Sequence, residues 1–180
     1  MTASRRWGWV AGLAMAAVVA AGCATMRVNS FTQRGNDFSN YGSYGWAPDN
    51  QLRTGDPRLD NNPFFLERLV ADVDRSLATR GLEKTADGPD LLVHYHVSIS
   101  QEIDSAGLDA PYGYQCDTCE PYVYDAGTLL LDLVDARTNT LVWRGWAEGS
   151  MGNAIDNQDL MEERIDVAVT KILATLPRGL

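Results

Sequence analysis

Two short patterns in this chain combine residue types that carry chemistry. One is Cys116-Asp117-Thr118-Cys119, two thiols separated by two residues. The other is His94-Tyr95-His96, whose i, i+2 spacing on an extended strand sends both imidazoles to one face. Three readings of the cysteine pair compete. In an oxidising compartment Cys116 and Cys119 close a tight disulfide loop, and this is the favoured reading. A redox-active pair would need a helix N-terminus or neighbouring cations to lower a thiol pKa. Asp117 and Glu120 do the opposite, and no Lys or Arg occurs between Lys84 and Arg137. As a metal site, Cys116 and Cys119 would join His94 and His96 in a tetrahedral zinc shell. That spacing is unlike a usual zinc module, and the cysteine loop would have to fold back over the strand. The simpler reading leaves His94 and His96 as polar occupants of a wet sheet face.

Other candidates are weaker. Tyr41, Tyr44, Trp46, Trp143 and Trp146 could form a platform for a carbohydrate or peptide, although such residues more often fill cores and sheet edges. Asp132 and Arg144 read as a cross-strand ion pair, not a catalytic carboxylate with its partner. The two histidines share one strand, Gly149-Ser150-Met151-Gly152 matches no nucleophile motif, and no glycine-rich phosphate loop occurs. The expectation is a protein that is not an enzyme and holds no cofactor.

The elements that must position these residues follow from periodicity. Asn62-Pro63 supplies an N-cap with proline at the first helical position. Phe65, Leu69, Val73 and Leu77 then recur every four residues until Gly81, predicting a helix over 63–80. Leu91, Val93, Tyr95, Val97 and Ile99 alternate with Leu92, His94, His96, Ser98 and Ser100, which is strand periodicity with one buried face. Residues 127–134 and 141–148 read as a hairpin. A five-residue loop at 136–140 sets Leu133 opposite Trp143 and Asp132 opposite Arg144. A short strand is expected at 26–31, an aromatic turn running into a second short strand over 37–46, a loop at 48–61, and a long loop over 102–124 that carries the cysteines. Met161, Ile165, Val169, Ile172 and Leu176 define a last helix over 157–176, closed by Pro177. The expected fold is α+β in the order β-β-α-β-β-β-α: about five antiparallel strands with two helices on one face.

The first 22 residues stand apart from that fold. Arg5 and Arg6 precede an uncharged run from Trp7 to Ala21, shorter than the roughly 20 apolar residues a spanning helix needs. The run ends in Ala20-Ala21-Gly22-Cys23, which resembles the lipobox of bacterial lipoproteins, where the cysteine carries a thioether-linked diacylglycerol and later a third acyl group such as palmitate. The resemblance divides the chain into a signal peptide at 1–22, a lipidated N-terminus and short tether at 23–25, and one domain at 26–180. It implies attachment to a membrane through Cys23. Ala24, standing where an acidic retention residue would otherwise be, implies the outer membrane on its periplasmic side.

Composition agrees with one folded domain. The 180 residues are 45% hydrophobic and 22% charged, as in globular proteins. A net charge of -9 argues against nucleic acid as a partner.

Four segments carry a family resemblance. They are Asp37-Phe38-Ser39-x-Tyr41-x-Ser43-Tyr44-x-Trp46, Asp90-Leu91-Leu92-Val93-x-Tyr95-His96-Val97, Gly127-x-Leu129-x-Leu131-Asp132-Leu133-x-Asp135, and Leu141-Val142-Trp143-Arg144-Gly145-x-Ala147. In this order they resemble the bacterial lipoprotein family described as domain of unknown function 4136. The resemblance spans the region after Cys23 and implies an envelope lipoprotein, with room for an envelope protein partner and no stated activity.

Overall fold

A computed structural model describes residues 26–48, 56–60, 62–104 and 122–177. Cys23, Cys116 and Cys119 lie outside these residues, as do the signal and tether segments and most of the long cysteine loop.

The described chain forms a six-stranded mixed sheet covered on one face by helices. The strands are β1 (Arg27–Thr32), β2 (Ser43–Trp46), β3 (Glu83–Lys84), β4 (Leu91–Asp104), β5 (Tyr122–Asp135) and β6 (Thr140–Ser150). The helices are α1 (Pro57–Asp60), α2 (Pro63–Ala78) and α3 (Gln158–Ala174), with a 3-10 turn at Phe38–Asn40. In space the strands run β1-β6-β5-β4-β2-β3. The periodicity-based order therefore lacked one strand and one helix, and the sheet is not wholly antiparallel. β2 pairs parallel with β4 and with β3. The reason lies in the connection: helix α2 stands between β2 and β4, and a strand–helix–strand crossover returns the chain in the same direction.

Both long helices begin on an asparagine cap. Asn62 Oδ1 accepts from the Phe65 amide at 3.2 Å, and Asn157 Oδ1 from the Leu160 amide at 3.1 Å. Past the end of α2, Gly81 takes φ +89°, a left-handed conformation that a side chain would resist. Leu69, Val73 and Leu77 of α2 and Met161, Val169 and Ile172 of α3 are sealed against Leu91, Val93, Leu131, Leu133 and Trp143 of the sheet. Gly145 makes this packing possible. A Cβ there would lie 2.5 Å from the Trp143 ring and 2.6 Å from Ile172 Cγ2, so only glycine lets the indole lie along β6 beneath α3.

The hairpin register is the expected one at its charged step: Asp132 stands opposite Arg144 and Leu133 opposite Trp143. The loop is shorter than expected. Asp135 pairs with Thr140 and Val134 with Leu141, so four residues turn the chain and the register shifts between Leu133 and Val134. Val142 is the extra residue of that bulge, and its side chain is buried at 2% exposure.

β4 and β5 run longer than the alternating pattern, pairing continuously from Leu91↔Asp135 to Asp104↔Tyr122. Much of what reads as loop at 102–124 is thus strand. β6 leaves β5 at Ala126↔Ser150, so among the described strands the far end of β4–β5 is a two-stranded ribbon. None of the buried core among the described residues lies along this ribbon, and the hydrophobic period that marks a strand fades there.

Candidate functional site

The four motif segments of the sequence converge on two places: one corner of the sheet and the middle of its uncovered face. At the corner, Asp37 caps the 3-10 turn, accepting from the Ser39 amide at 3.1 Å and the Ser39 hydroxyl at 2.7 Å. Asp90, just before β4, accepts at one oxygen from the Gly42 amide (2.9 Å), the Ser43 amide (2.9 Å) and the Ser43 hydroxyl (2.8 Å). The Asp90 amide in turn donates to Ser43 Oγ at 3.0 Å, so β2 and β4 are tied at their starts. Asp135, at the end of β5, accepts from the Arg137 and Thr138 amides at 3.0 and 2.7 Å. Tyr41 Oη lies 3.1 Å from Asp135 Oδ2 and 3.0 Å from Asn36 Oδ1.

Hydrogen bonds to the charged form hold all three carboxyls below their ordinary range. The leading donors are the Ser39 hydroxyl for Asp37, the Gly42 amide for Asp90 and the Thr138 amide for Asp135. Tyr41 is pushed the other way, first by burial and then by the Asp135 carboxylate. Together these groups line an open cleft of about 880 Å³ that also includes Leu92 and Arg137. The carboxylates are ionised acceptors spent on local amides and hydroxyls, which makes the corner a lock between chain segments.

The second place is the sheet face that the helices leave open. His94 of β4, Asp132 of β5, Arg144 of β6 and Phe31 of β1 stand in register across four strands. Asp132 is buried at 5% exposure and receives a bidentate pair from Arg144: Nε to Oδ1 and a terminal nitrogen to Oδ2, both at 2.7 Å. This is a stronger arrangement than the loose surface pair the sequence suggests, because its acceptor side is desolvated. Burial lowers the His94 pKa, the Asp132 carboxylate opposes that shift, and His96 adds to it. His96 sits two residues along the same strand on the same face and is exposed.

The metal reading of His94 and His96 gains nothing from this geometry. Among the described residues no three His, Cys, Asp or Glu side chains are grouped to hold a metal ion. Cys116 and Cys119, the other two ligands of that reading and the pair of the disulfide reading, lie outside the described residues. The aromatic platform does not form. Tyr44 and Trp143 are core residues at 1% and 0% exposure, Trp46 packs edge-on against Tyr95, and Trp146 belongs to the opposite, open face.

One polar hub carried no sequence signal. Asp74 of α2 accepts from Tyr44 Oη and Trp46 Nε1, both at 2.9 Å, and from Lys84 Nζ at 2.8 Å. A single carboxylate thus pins α2 to β2 and β3. Its partners are 30, 28 and 10 residues away, so no local spacing announces it. An apolar cavity between α1, α3 and the sheet, bordered by Met26, Phe65, Met151 and Arg164, measures about 50 Å³. That is far below the roughly 300–1,000 Å³ of a small-molecule pocket. No helix among the described residues is long and apolar enough to cross a membrane.

The fold and site define an α+β domain with a one-sided helix layer and a polar, motif-built corner. The family model "Domain of unknown function (DUF4136)" matches residues 28–178, and the chain belongs to that family. No curated protein sequence matches it. Among solved structures, a PDZ domain protein from Parabacteroides distasonis is similar at a TM-score of 0.56 and 14% identity, over 84% of this chain and 36% of that one. The present chain therefore spans little more than a third of that protein, and the likeness shows the fold alone. A DUF4136 family protein from Bacteroides thetaiotaomicron aligns at TM-score 0.48 and 15% identity over 81% of this chain and 94% of that one. A minor lipoprotein from Acinetobacter baumannii aligns at 0.45 and 12% over 76% and 93%.

Proposed function

We propose that the protein is a lipid-anchored envelope lipoprotein whose domain serves as a periplasm-facing binding or structural module rather than as an enzyme. The observation that carries the second half is the occupation of the motif carboxylates. Asp37, Asp90, Asp135 and Asp132 are each engaged by backbone amides, hydroxyls or a guanidinium. A general base or nucleophile needs a lone pair aimed at a reacting atom, and the bonds these groups make cap turns and tie chain segments together. The anchoring half rests on the Ala20-Ala21-Gly22-Cys23 lipobox and on distance. Cys23 precedes β1 by only a few residues, and each spans at most about 3.6 Å, so the domain stands close to the lipid surface. Two or more acyl chains at about 0.8 kcal/mol per buried methylene hold a protein stably on a bilayer. Ala24 favours the outer membrane, and an envelope protein is the fitting kind of partner.

Metabolic labelling with radioactive palmitate tests the anchor. Label is expected on the full-length protein and absent from Cys23→Ala, with the variant recovered in the soluble periplasmic fraction. Label that persists in Cys23→Ala overturns the anchoring reading.

A further inference from the structure

β4 has two edges with different fates. Its inner edge pairs with β5 along the whole strand without a register shift. Among the described residues its outer edge pairs with β2 over Leu91, Leu92 and Val93, with one further bond from the Ala47 amide to the Val93 carbonyl at 2.9 Å. Because the Val93 carbonyl points outward, the odd-numbered residues of β4 present their amides and carbonyls to that outer edge, and the even-numbered residues face β5. From His96 to Ile103 no described residue pairs with the outer edge. Natural sheets blunt such edges with Pro, Lys or a bulge. His96-Val97-Ser98-Ile99-Ser100-Gln101-Glu102-Ile103 contains no Pro, Gly, Lys or Arg. Ile103 is 65% exposed, a large apolar side chain left in water at the end of this edge.

The order of residue types along the edge is directional. Two imidazoles, His94 and His96, stand at its start, two serines at Ser98 and Ser100, and two acids, Glu102 and Asp104, at its end. The described side chains among them, His94, His96, Ser98, Ser100 and Glu102, occupy even positions and so share the open face of the sheet. Parallel pairing with an identical strand sets like against like. Antiparallel pairing sets unlike ends together.

We propose that this edge is a self-association surface, joining β4 antiparallel to β4 of a second copy of the chain across a two-fold axis at Ile99. In that register His96 stands opposite Glu102, Ser98 opposite Ser100, and position 94 opposite position 104. On the helix-side face Val97 stands opposite Gln101. Sliding by two residues either way keeps only one histidine opposite an acid, and a one-residue slip exchanges the faces. The Ile99 pair then exchanges two amide–carbonyl bonds, as do the Val97–Gln101 pairs on either side, giving one continuous sheet through both copies with an isologous interface. The pairing does not depend on lipid attachment.

Sedimentation equilibrium of the full chain in mild non-ionic detergent, with reductant present to remove any intermolecular disulfide, tests this. The expected species is a dimer. Ile99→Pro removes an outward amide while sparing the inner ladder made by even-numbered residues, and it should raise the dissociation constant about tenfold or more, since both copies lose a bond. Glu102→Lys should also weaken the dimer, and His96→Glu added to Glu102→Lys should restore it, which no folding defect would imitate. Circular dichroism verifies that each variant is folded. A monomer at every concentration, or a dimer that Ile99→Pro leaves intact, overturns the proposal. A dimer weakened by Ile99→Pro but indifferent to the charge exchange overturns the Ile99 register.

Discussion

On the open face of the sheet, the surroundings of His94 push its titration in a known direction. Burial disfavours its cation, and Asp132 opposes that only partly because Arg144 already engages both carboxylate oxygens. Its folded pKa therefore lies below its ordinary 6.5. The unfolded chain binds the proton more readily than the folded one in the interval just under 6.5, so stability falls as pH drops through that interval and levels off below the folded pKa. The three corner carboxylates act in the same direction but lower, below their ordinary 3.8, because they lose stabilising amide bonds only when protonated. Urea unfolding midpoints measured between pH 7 and pH 5 should decline in the parent protein, and the decline should be smaller in His94→Gln. An unchanged slope in that variant would place the pH response elsewhere.

Among the elements, β2 and β3 are the weakest members of the sheet: four and two residues long, at one end of the strand order. They hold their place through α2. Asp74→Ala removes the acceptor of Tyr44, Trp46 and Lys84 together and leaves the Tyr44 hydroxyl without its partner in a residue 1% exposed. A buried donor stripped of its acceptor costs about 1–3 kcal/mol. The loss should be local before it is global. Hydrogen exchange at the Glu83 and Thr85 amides, which bond to the Gly42 and Tyr44 carbonyls, should accelerate well before exchange at Leu131. The two long helices and the central hairpin were legible in the sequence because their signals are local: an asparagine cap and a four-residue apolar stripe for α2, and opposite charges at Asp132 and Arg144 for the hairpin. β3 was not legible because two residues, Glu83 and Lys84, carry no period, and the parallel placement of β2 is a property of the crossover rather than of its own residues. The bulge at Val142 shows how two local cues can disagree and both survive: a four-residue turn and a charge-matched register differ by one residue, and the bulge absorbs it. In the corner, Asp37, Asp90 and Asp135 were visible as motif residues, whereas their roles as caps needed the fold to bring Gly42, Ser43 and Thr138 beside them.

At the scale of the molecule, the sheet divides into a clamped half and a free half. From Leu91 to about Ile99, β4 lies over the helix-backed core, and its partner strands are covered by α2 and α3; past Ser100↔Ala126 no third described strand pairs with β4 and β5, and Asp125 meets Arg58 of α1 at 3.6 Å. Two substitutions separate the halves. Trp143 is wholly buried between β6 and α3, so Trp143→Ala should cost about 3–5 kcal/mol and lower the midpoint of the whole cooperative transition. Val123 on the ribbon is 58% exposed, so Val123→Ser should change global stability by about 0.5 kcal/mol or less. Exchange rates supply the sharper comparison. Amides of Leu131 and Gly145 open only with the global unit and should follow the Trp143→Ala loss in full, while those at 101–103 open locally and should ignore it. If the ribbon amides slow or quicken in step with Trp143→Ala, then β4 and β5 are one cooperative unit to their ends, and the far ribbon is held by contacts as strong as those of the core.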